Sequence, residues 1–240
     1  MSYVMHVDVI MAAERGITQN EWLDSKHSFS FGSYHNLKRL NFGTLRVFND
    51  DIVQPGKGFG THAHENMEIV TIVLEGALEH KDSQGNHGIL KPGDVQRMTA
   101  GTGIEHSEFN ASQEKPLRFL QIWVYPKERN LQPGYEQKTI PLQKNSLQKI
   151  VAETPSETTL SIHQDATFYL GQFDSQQTIV HTTKSRKHCD YIFVIDGELA
   201  LGDHLLKSGD SAEVTESDRL EMQTLESTKV LLIEVNVNTL

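Results

Sequence analysis

The feature that most constrains this chain is a unit that occurs twice. Residues 69–76 are a run of apolar and β-branched side chains ending in Glu75-Gly76, and residues 190–197 repeat it, ending in Asp196-Gly197. Each copy continues into a leucine two residues after the glycine, Leu78 or Leu199, and then into a Gly-Asp pair, Gly93-Asp94 or Gly209-Asp210. An apolar run closed by an acidic-Gly pair reads as a strand entering a tight turn, and a turn of this kind sends the chain back antiparallel. Two copies of one strand–turn–strand–turn unit predict two copies of one small β architecture. The remainder agrees, with strand-like runs at residues 44–49, 117–125 and 229–237 and turn signals at 54–60, 82–86 and 91–94. No stretch sustains the three-to-four-residue apolar spacing of a packed helix, so an α/β reading lacks its crossovers. A polar segment at 130–159, containing Pro133, Pro141 and Pro155, separates the copies. The expected fold is all-β, two tandem barrels, divided as residues 1–132 and 133–240.

Composition narrows the setting. A net charge of −10 provides no cationic surface for nucleic-acid phosphates. The single cysteine, Cys189, excludes an intrachain disulfide and a cysteine-rich metal site, and it suits a reducing compartment. No apolar run approaches the roughly 20 residues of a membrane helix, and the N-terminus lacks the basic region of a secretory signal. A cytoplasmic monomer, binding neither membrane nor nucleic acid, is expected.

The chemistry concentrates between Gly56 and Asn110. His62 and His64 are two residues apart, which on a strand places both imidazoles on one face. His106 and Glu108 repeat the spacing with an imidazole and a carboxylate. Two such strands in one barrel would converge four ligand groups. Three imidazoles and a carboxylate suit Fe(II), Mn(II), Co(II), Ni(II), Cu(II) or Zn(II), and suit Mg(II) or Ca(II) poorly. On an octahedral ion two positions stay open for a substrate; on four-coordinate zinc the same set would close a structural site.

The glycines around these residues carry a family resemblance. Gly56-x5-His62-x-His64-x3-Glu68-x7-Gly76 resembles the first cupin motif, and Gly93-x5-Thr99-x-Gly101-x4-His106-x3-Asn110 the second. Within cupins the chain resembles the pirins, bicupins that include quercetin 2,3-dioxygenases. The likeness runs through Trp22 to Phe31, Gly58 to His64, Asn66 to Glu68, Met98 to Gly103, His106 to Glu108 and Pro133 to Lys138. It implies jelly-roll barrels and one metal in the N-terminal barrel, held by His62, His64, His106 and Glu108, with Fe(II) the foremost candidate. It also implies a reaction: a flavonol such as quercetin is deprotonated at its 3-hydroxyl, combines with dioxygen and loses its central ring with release of carbon monoxide. Glu108 or Glu68 would take the proton. Glu68 follows His64 after three residues where cupins in general have four, and its strand parity matches the histidines. Some pirin-like proteins instead bind a protein partner and sense iron redox state without turnover, so a regulatory role is the alternative.

The C-terminal copy looks empty of ligands. Aligning Gly76 on Gly197 sets Thr183 and Ser185 where His62 and His64 stand, and His181, His188 and His204 have no ligand spacing. His27 reads as part of an aromatic-packed strand, His80 and His87 as solvated beside a turn, and Met67, Val70, Ile72 and Met98 as core or as pocket lining.

Overall fold

The structure is a computed structural model that describes residues 5–237. Apart from one 3-10 turn at Ala12–Glu14, every regular element among the described residues is a strand. The all-β expectation holds. Each half sets a seven-stranded sheet against a four-stranded one.

In the N-terminal half the four-stranded sheet is Gly58–His64, Ile104–Asn110, Leu78–Asp82 and His87–Leu90, in that spatial order. It faces a larger sheet whose centre is Asp94–Thr99, Glu68–Glu75, Leu117–Val124 and Leu45–Val53. Leu23, Val53, Val73, Leu78, Leu90, Leu117 and Phe119 fill the space between them. The C-terminal half repeats the plan with the small sheet Thr178–Thr182, Arg219–Thr224, Glu198–Leu201 and His204–Lys207. Its interior is closed by Ile192, Val194, Leu199, Val230 and Leu232.

The large sheets are buried on both faces, which explains their near-continuous apolar runs. In the strand Glu68–Glu75, Val73 turns into its own barrel while Val70, Ile72 and Leu74 meet Tyr191, Phe193, Leu231 and Ile233 of the other half. The halves thus share one core. Two strands also cross the sequence division at 132/133. His6–Ile10 pairs with Ser211–Thr215 in the C-terminal sheet, and Gly134–Thr139 pairs with Asp94–Thr99 in the N-terminal one.

Candidate metal centre

The site lies at the mouth of the N-terminal barrel, on the four-stranded sheet. His62 and His106 stand directly opposite each other across the ladder; a bulge between His106 and Glu108 then sets Glu108 opposite Phe59, while the unbroken pairing on the other side sets Glu108 opposite His80 on the third strand. The ring centroids of His62, His64 and His106 are 4.4 to 4.9 Å apart. The ligand-type atoms of these three histidines all lie within 4.8 Å of one another. Glu108 shares a second group of the same kind with His106 and His80, so His106 joins the two.

Several observations fit these residues to a metal ion. His106 is 1% exposed and neither of its ring nitrogens has a hydrogen-bond partner, which is a costly arrangement for a buried imidazole without a ligand. The Nδ1 of His62 donates to the Gly60 carbonyl at 2.8 Å, which leaves Nε2 as a free lone pair. Burial, and then the neighbouring His62, lower the pKa of His64 to about 4. Burial, followed by His62, His64 and His80, pushes His106 lower still. Both rings are therefore neutral, the state that coordinates a cation. Glu108 is raised to about 8, first by burial and then by Asp51, against hydrogen bonds from Gln121 and Thr71. A divalent ion at this place would restore its charged form.

Glu108 is aimed by a chain of buried polar groups. Gln121 Nε2 donates to Glu108 Oε2 at 2.7 Å, Thr71 Oγ1 donates to Gln121 Oε1 at 2.9 Å, and Gln96 Nε2 donates to Thr71 Oγ1 at 3.3 Å. Beside His62 and Glu108 opens a cavity of about 140 Å³. Phe31, Phe59, Trp123 and Leu23 form its apolar wall, and Ser25, His27, Asn49 and Asp51 its polar one. His27 is held there by Asn49 at 2.8 Å and Thr18 at 2.9 Å, so it is a fixed pocket residue as well as an aromatic neighbour of Phe31.

Glu68 is elsewhere. The chain turns at Asn66, with φ of +50°, and the strand that follows belongs to the other sheet, so parity counted from His62 does not carry across. Glu68 faces the second half, where its Oε2 accepts the His163 backbone N–H at 3.1 Å and its other oxygen is buried without a partner. His80 also differs from expectation. It is fully buried, bonded to Asp82 at 3.1 Å and stacked on Tyr135, because Leu78 and His80 both point inward from the turn at Gly76. The parity of Leu78 was the available signal. Val70 and Ile72 lie in the core shared by the halves, and Met98 packs with Ile69 and Ile104, so these are core residues.

The Pirin family model matches residues 10–124. A quercetin 2,3-dioxygenase of Escherichia coli (strain K12) is 35% identical over 224 residues, which are 93% of this chain and 96% of the relative. The chain belongs to the pirin family. A second family model, the quercetinase C-terminal cupin domain, matches residues 149–235 of this pirin, and the architecture is that of a bicupin. The crystal structure of bacterial pirin YhhW from Escherichia coli, in complex with nickel(II), superposes with a TM-score of 0.92 at 34% identity, covering 96% of this chain and 99% of that one. A quercetin 2,3-dioxygenase from Acinetobacter baumannii, at 21% identity and a TM-score of 0.78, covers 97% of this chain and 79% of its own and shares the fold. The donor set and these relatives together support a divalent metal in this pirin. Among the described residues no helix is long and apolar enough to cross a membrane.

The C-terminal half contains a cluster that sequence spacing did not reveal. His181, Asp190 and Glu234 are buried together, with ligand-type atoms within 4.8 Å of one another. Burial opposes the charged His181 ring, but Asp190 and Glu234 outweigh it and raise the pKa to about 9. His181 and Asp190 lie on successive strands and Glu234 on a third far along the chain, so no ligand motif joins the three.

Proposed function

We propose that this pirin is a metal-dependent dioxygenase that opens the central ring of a flavonol such as quercetin, consuming dioxygen and releasing carbon monoxide. The observation that carries the reading is the cavity whose lining includes both His62 and Glu108 together with the aromatic rings of Phe31, Phe59 and Trp123. His62, His64, His106 and Glu108 are the assigned ligands, with Fe(II) the first candidate. The bound ion supplies Lewis acidity toward the 3-hydroxyl and a redox partner for dioxygen.

The protein's own groups account for the rest. Phe31, Phe59 and Trp123 line the cavity, with Phe31 and Trp123 edge to face, and would orient a planar polyphenol through aromatic contact. Glu108, restored to its charged form by the ion, would receive the 3-hydroxyl proton from a substrate seated in the cavity it lines. Gln121, hydrogen-bonded to Glu108, holds the carboxylate on the cavity side while the proton arrives. Glu68, turned toward His163, takes no part.

The test is anaerobic loading with Fe(II) followed by quercetin and oxygen, monitored by loss of flavonol absorbance. Wild type and Glu68→Gln are expected to hold one ion at this site and turn over; His106→Ala is expected to lose both the ion and at least 100-fold of the rate. Undiminished turnover in His106→Ala would overturn the ligand assignment. A wild type fully loaded with Fe, Mn, Co, Ni or Cu that consumes no flavonol would favour the redox-sensing, partner-binding alternative.

A further inference from the structure

The buried cluster in the C-terminal half shares one strand position with the first site. The strand Thr178–Thr182, which carries His181, pairs with Arg219–Thr224 as Gly58–His64 pairs with Ile104–Asn110. His181 therefore sits on the strand that corresponds to the one bearing His62 and His64. Asp190 and Glu234 are cross-strand partners in the large sheet, and both point into the barrel beside Ile192 and Leu232. The three residues are 5%, 1% and 2% exposed.

Hydrogen bonding leaves this cluster incomplete. His181 Nε2 is 3.2 Å from both Asp190 Oδ1 and Glu234 Oε2. One N–H serves one acceptor well; Glu234 takes the hydrogen bond, and Asp190 Oδ1 is buried with none. The carboxylates are held from behind. Thr183 Oγ1 donates to Asp190 Oδ2 at 2.7 Å, and the Lys184 backbone N–H donates to Glu234 Oε2 at 3.1 Å. The Lys184 ammonium itself is engaged by Asp165. Two carboxylates against one imidazole leave a net negative charge even with the ring protonated, and uncompensated buried charge is expensive. A divalent cation would balance both carboxylates with a neutral ring. The spacing suits one: bonds of about 2.1 Å put neighbouring ligand atoms roughly 3.0 Å apart in octahedral and 3.4 Å in tetrahedral coordination.

We propose that His181, Asp190 and Glu234 bind a second divalent transition-metal ion of the zinc class. The ion would tie the small sheet, through His181, to the large sheet, through Asp190 and Glu234. With all three ligands buried in the barrel, its role is to brace the C-terminal half.

Zinc titration of the chelator-stripped full chain, with bound metal counted after gel filtration, tests this. Wild type is expected to retain two equivalents, Asp190→Asn one, His62→Ala/His106→Ala one, and the triple variant none. Asp190→Asn preserves shape and can still accept from Thr183; Glu234→Gln is the second variant should the first fail to fold. Zinc should also raise the melting temperature of His62→Ala/His106→Ala but not of the triple variant. Retention of a single equivalent by wild type, lost in His62→Ala/His106→Ala, would overturn the proposal. So would zinc that persists in the triple variant, which would mark adventitious binding to surface histidines. Failure of the first site reads out separately, as uptake unchanged by His62→Ala/His106→Ala.

Discussion

Asp51 shows how the cavity sets the state of a single side chain. Burial raises its pKa to about 7; Asp50 adds to the rise, while a hydrogen bond from Ser25 and the charge of Arg15 work against it. A carboxyl whose folded pKa is raised contributes stability that is present below its unfolded value near 4 and is lost as pH climbs through about 7. Asp51→Asn removes that loss. In metal-free protein the advantage of Asp51→Asn over wild type should widen by about 2–3 kcal/mol between pH 5 and pH 8, read from urea midpoints at each pH. A constant difference would show that Asp51 ionises in the fold without penalty. At this scale the clustering of His62, His64 and His106, with Glu108 beside His106, was legible because each pair lies on one strand at spacing two. His80 and the His181 cluster were not, because their neighbours are set by strand pairing across long stretches of chain.

The strands that carry the site approach closely at Gly58. A Cβ built there would lie 2.2 Å from the Glu108 carbonyl oxygen and 2.5 Å from the Phe109 Cα, both backbone atoms that a side-chain rotation cannot move. Gly58→Ala must push Gly58–His64 away from Ile104–Asn110 just where Glu108 leaves its strand. The expected cost is about 1–3 kcal/mol of stability, with weakened metal retention, measured by denaturant midpoint and metal content. Unchanged retention would mean that the ladder spacing does not control the site. Strand identities were readable from apolar runs and turn glycines, since both report local geometry. The fate of Glu68 was not, because it depends on which sheet receives the strand after Asn66, and alternation within one strand carries no such information.

At the scale of the whole molecule the two barrels behave as one folding unit. Tyr191 is fully buried between Phe29, Phe42 and Phe48, and its hydroxyl shares a 2.6 Å hydrogen bond with Ser28 of the other half. Arg39 reaches Glu213 across the same interface at 2.7 Å, and the Arg15 guanidinium lies over Phe193. With the strands His6–Ile10 and Gly134–Thr139 each paired into the opposite half, neither barrel is complete without the other's chain. Tyr191→Ala should cost about 4 kcal/mol and lower a single calorimetric transition; two separate transitions in wild type would contradict a shared core. The repeat in sequence announced two barrels, but not this exchange, which is set by strand pairing across the division between them. The central proposal is that the N-terminal site cleaves a flavonol with dioxygen. The direct measurement is turnover of quercetin by the Fe(II)-loaded protein under isotopically labelled dioxygen, with carbon monoxide and product mass recorded together. One carbon monoxide per flavonol consumed, and two labelled oxygens in the ring-opened product, is the predicted result; flavonol loss with no carbon monoxide and no label in the product would contradict it.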